Sequence, residues 1–69
     1  MSKYHKAAMS YFQAKVDEAE AVLHTYMHDS VGIGEHSEIL KEIIKWTKEL
    51  AEAQECLATL ATLDTMEDQ

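Results

Sequence analysis

Sixty-nine residues hold one domain, and a chain this short, folding alone, buries only about 60% of the surface it exposes when unfolded. Thirteen Asp plus Glu against six Lys and no Arg give a formal charge of −7. The Lys are interleaved with carboxylates, as in Glu38-Lys41-Glu42-Lys45-Lys48-Glu49, which argues against direct nucleic-acid binding.

The chain opens on an amphipathic stretch rather than an apolar leader, and no run of about 18 apolar residues occurs. These features predict a soluble cytoplasmic protein with no membrane contact. The single Cys56 suits a reducing compartment and leaves no internal disulfide to stabilise so small a fold.

The first predicted helix runs from about residue 3 to residue 28. Phe12, Val16, Ala19, Leu23 and Tyr26 follow one another at spacings of four and three, a heptad seam that Met9 and His5 extend backward. Ala8, Tyr11, Val22 and Met27 widen the stripe, while Asp17, Glu18, Glu20, His24 and Thr25 fill the wet side.

The turn is predicted over residues 29–36, around Val31-Gly32-Ile33-Gly34. Gly32 and Gly34 accept a left-handed backbone without steric cost, which a tight reversal needs. Val31 and Ile33 are expected to fold back as a plug over the end of the hairpin. A phosphate cradle would need a preceding strand and a following Lys-Ser/Thr pair, and neither is present.

The second helix is predicted from about residue 37 to residue 62, with His36 or Ser37 as N-cap and Glu38 in its first turn. Its seam is Ile39, Ile43, Trp46, Leu50, Ala53, Leu57 and Leu60. Leu40, Ile44, Thr47, Ala51, Ala58 and Ala61 broaden it beyond what one partner helix covers. The acidic tail, residues 63–69, is predicted to fray.

Two amphipathic rods of roughly 40 Å joined by a glycine turn specify an all-α fold, an antiparallel two-helix hairpin. Ordering about 60 residues costs on the order of 90 kcal/mol, and a lone hairpin has little core to offset it. Self-association is therefore expected, with dimerisation into a four-helix bundle first and a trimer or higher coiled-coil assembly second. The expected interface between chains is Phe12, Val16, Leu23, Ile39, Ile43, Trp46, Leu50, Leu57 and Leu60.

No catalytic motif is present and no cofactor is implied. His24 and His28 stand four apart on one helical face with Glu20, a spacing that allows two ligands on one metal, although a structural zinc site wants four. Cys56 lies between Glu52, Glu55 and Leu57, not in the electropositive surroundings of a reactive thiolate. Asp17, Glu18 and Glu20 face water on a convex rod, and Tyr11 and Trp46 read as core or interface anchors.

The segment Ser30-Val31-Gly32-Ile33-Gly34-Glu35-His36, followed by Ser37-Glu38-Ile39, resembles a signature of small uncharacterised helical proteins of T4-like tailed phages, cyanophages included. The resemblance spans residues 27–50. Where such relatives carry Pro after the His, this chain has Ser37, which suits the same helix start. The resemblance implies a phage accessory protein made in the cytoplasm of an infected bacterium and implies no enzymatic activity.

The expected function is thus that of a non-enzymatic interaction protein binding a host or phage protein. An acidic inhibitor occupying the basic nucleic-acid site of a host enzyme is the alternative from another class. A metal-binding helical module is the third.

Overall fold

The computed structural model describes residues 2–28 and 36–67, with side chains for residues 2–28 and 38–63. It contains two helices, α1 (Lys3–His28) and α2 (His36–Glu67), packed antiparallel in a rod of 52 × 15 × 15 Å. The expected all-α hairpin is the observed fold. The turn at Val31, Gly32, Ile33 and Gly34, with the plug expected of Val31 and Ile33, and the N-cap expected at His36 or Ser37 lie outside the described residues and side chains.

The start of α1 is fixed locally. The Ser2 hydroxyl accepts a hydrogen bond from the His5 backbone N–H at 3.0 Å, and the Ser2 carbonyl accepts from Lys6 N–H at 3.1 Å. Ser2 is therefore the N-cap, satisfying a donor that the first turn would otherwise leave unpaired.

The second helix departs from expectation at both ends. It begins at His36, one residue early, and it continues through Glu67 where fraying from residue 63 was expected. No Gly or Pro interrupts the chain between Ala61 and Glu67. Carboxylates in a last turn oppose the helix dipole by only a fraction of a kcal/mol, which is too little to end a helix that meets no breaker.

One contact sets the register of the two helices. His5 Nε2 lies 2.7 Å from the Leu60 carbonyl, across 55 residues of sequence. A carbonyl only accepts, so this nitrogen carries the proton and donates. Stepping forward along α1 and back along α2 from this pair brings Phe12 to within a turn of Ala53, Ala19 to within a turn of Trp46, and Tyr26 to within a turn of Ile39. Each large ring thus meets a small or aliphatic residue opposite, which lets two helices approach closely.

The core is correspondingly thin. Among the described residues only Val16, Ala19 and Ala53 are buried, Ala19 completely, and no large side chain is fully enclosed. The nine residues expected between chains are taken up first inside the hairpin: Val16 is buried and the other eight are half-buried. A heptad seam states that something covers it, and here the other helix of the same chain supplies part of that cover.

Candidate interaction surface

What a partner would meet is the flanks of the hairpin, and they differ. On one flank a shallow groove of about 310 Å³ runs between the helices, lined by Phe12, Cys56, Thr59 and Leu60 with Glu52 and Glu55 at its rim. It continues toward Tyr11 and Lys15 of α1 and Glu49 of α2. Tyr11 stands edge-on to Phe12, with ring centres 5.0 Å apart, and the Lys15 ammonium sits 5.8 Å from the Tyr11 ring centre. An aromatic wall topped by mixed charge characterises this side.

The other flank carries no charge on α2. At about 100° per residue, every Lys and Glu from Glu38 to Glu55 falls within one half of the helix circumference. The opposite half holds the inward seam and, beside it, a second row at spacings of four and three: Leu40, Ile44, Thr47, Ala51, Gln54 and Ala58. All six are exposed, Leu40 at 59% and Ile44 at 47%. Leu40, Ile44, Thr47, Ala51, Ala58 and Ala61, expected to broaden the seam, are all exposed in the hairpin.

The histidines divide into two kinds. His24 and His28 are exposed neighbours near the C-terminal end of α1, with ring centres 4.5 Å apart. Among the described residues no group of three His, Cys, Asp or Glu is placed to hold a metal ion. His5 is instead a structural histidine, half-buried, with Nδ1 enclosed and lacking a hydrogen-bond partner. Its position on the backward extension of the apolar seam was the sequence signal for this role.

Cys56 is a free, half-buried thiol in the wall of the first groove, where it packs beside Leu60. Asp17, Glu18 and Glu20 are exposed on α1, as expected of a solvated face. Trp46 is half-buried, with the Lys45 ammonium 5.2 Å from its ring centre, so it anchors the seam rather than offering a free stacking platform. Among the described residues no helix is long and apolar enough to cross a membrane. No protein-family model, curated protein or solved structure matches the chain.

Proposed function

We propose that this protein is a non-enzymatic, self-associating helical hairpin whose task is to bind another protein through its outer helical surface. The carrying observation is the exposed area. A compact monomer of 7.8 kDa presents about 4,400 Å² to water. This chain presents 5367 Å². The excess of roughly 1,000 Å² exceeds the about 800 Å² that each partner contributes to a standard protein interface.

Exposed Leu40 and Ile44 give that excess an apolar character. The thin core supports the same reading, because one layer of half-buried side chains leaves the ordering entropy poorly offset. The resemblance of residues 30–39 to small phage proteins supplies the setting: an accessory protein that meets a host or phage protein in an infected bacterium.

Sedimentation equilibrium across the micromolar range tests the first step. The expected result is a species of twice the 7.8 kDa chain mass. A stably folded monomer at those concentrations would overturn the reading. Capture of partners from lysate of the bacterial host, repeated at rising salt, tests the second. Retention of a partner between about 50 and 200 mM salt supports docking on an apolar face, whereas steep loss indicates an acidic mimic on a nucleic-acid site.

A further inference from the structure

We infer that the second copy docks on the uncharged outer row of α2, antiparallel to it, with Ala51 of each copy at the two-fold axis. This rests on the self-association proposed above and specifies its surface and direction.

The row tapers. Its bulky members, Leu40 and Ile44, stand in the N-terminal half of α2, and its small ones, Ala51 and Ala58, in the middle and C-terminal half. Pairing two tapered rows in parallel would set Ile44 against Ile44 and Ala58 against Ala58, jammed at one end and gapped at the other. Running them antiparallel about Ala51 puts Ile44 level with Ala58 of the second copy. Leu40 then falls level with Thr62 of the second copy. Interiors pack densely, so the arrangement without gaps is the stable one.

The polar residues of the row fit the same arrangement. Thr47 of one copy comes within one residue of level with Gln54 of the other, pairing a hydroxyl with an amide in the middle of the contact. Thr62 donates its hydroxyl to the Ala58 carbonyl at 3.2 Å, so its polar atom already has a partner within its own helix. Burying its methyl against Leu40 strands no donor.

Charge complementarity selects the direction independently. Lys48 and Glu55, both exposed, border the row on the same side. In an antiparallel pair the like-handed borders of the two helices meet. Lys48 of each copy therefore lies within one residue of level with Glu55 of the other, forming two symmetric ion pairs. A parallel pair would set these borders on opposite sides and form neither. The area argument adds that each chain has enough spare surface for an interface of standard size.

The test is sedimentation of the full chain and three variants, with circular dichroism to check helix content. Ala51→Glu places two carboxylates at the axis and is expected to weaken dimerisation about a hundredfold while leaving the helices intact, because Ala51 is exposed in the single hairpin. Lys48→Glu should weaken it about tenfold by turning both ion pairs repulsive, and the double swap Lys48→Glu with Glu55→Lys should restore most of the loss.

A native dimer that survives Ala51→Glu unchanged, or a double swap no tighter than Lys48→Glu alone, overturns the α2 pairing and leaves self-association standing. A native monomer overturns both.

Discussion

The two helices solve the same problem differently. The charged residues of α1 sit on both flanks and on its back: Lys15 and Glu18 on one side, Lys6 and Glu20 on the other, Lys3 and Asp17 opposite the seam. Only one face of α1 is apolar, and α2 covers its centre, leaving Tyr11 and Met27 exposed at its edges. The Lys and Glu of α2 are gathered into half its circumference, so α1 covers part of the apolar half and leaves the rest in water. The exposed apolar side chains of α1 stand among charges, whereas Leu40 and Ile44 of α2 fall in one charge-free row.

The largest effects should come from the layer the two helices share. Trp46 on α2 and Phe12 on α1 are half-buried rings, each within a turn of an alanine of the opposite helix. Truncating either to Ala should cost about 3 kcal/mol by thermal unfolding, the lower end for an aromatic because neither ring is fully enclosed. Equal losses would show that the two helices contribute alike to the core. A much larger loss for Trp46→Ala would show that its ring also serves a contact between chains.

Overpacking should rank next. Ala19 is completely buried opposite Trp46, and Ala19→Leu should cost about 2 kcal/mol by forcing the helices apart. Ala14→Leu, on the exposed back of α1, should change stability by less than about 0.5 kcal/mol in the same melting experiment. An equal effect at both positions would mean that the helices are not held at a fixed spacing.

The clasp between His5 and Leu60 is worth less. His5→Ala removes one hydrogen bond and also the enclosed Nδ1 that has no partner, so about 1 kcal/mol should be lost in denaturant titration. Smallest of all is the response to zinc. Stoichiometric zinc should leave the melting temperature of the native chain and of the double variant His24→Ala with His28→Ala alike. A rise in the native chain alone would show that the paired rings of α1 hold a metal with help from elsewhere.

Much of this was legible in the residues. The four-and-three spacing of Phe12, Val16, Ala19 and Leu23 located α1 to within a residue, because Ser2 is a strong cap at one end and the glycine segment follows at the other. The end of α2 was not, since the unfavourable charge of its last turn is a small quantity and no glycine or proline follows Ala61 to stop the helix. Periodicity showed which faces are apolar and could not show which neighbour covers each. The pairing of Phe12 with Ala53, or His5 with Leu60, depends on an offset between helices that no local pattern encodes.

The candidate surface was harder to see for the same reason. Leu40, Ile44 and Ala51 read as the edge of one broad stripe until the register of the hairpin showed how much of that stripe α1 reaches.

The clasp at His5 has a mechanical consequence. Ser2 and Leu63 lie at the same end of a rod 52 Å long, the end that His5 and Leu60 hold together. Tension applied at these two residues would load that hydrogen bond first and then each seam pair in turn, peeling the hairpin open like a zip. Tension applied between Ser2 and His28 would instead load α1 along its own axis, stretching its backbone hydrogen bonds rather than opening the seam pair by pair. In a single-molecule stretching experiment the first geometry should yield at low force, and the second should resist until the helix itself gives way.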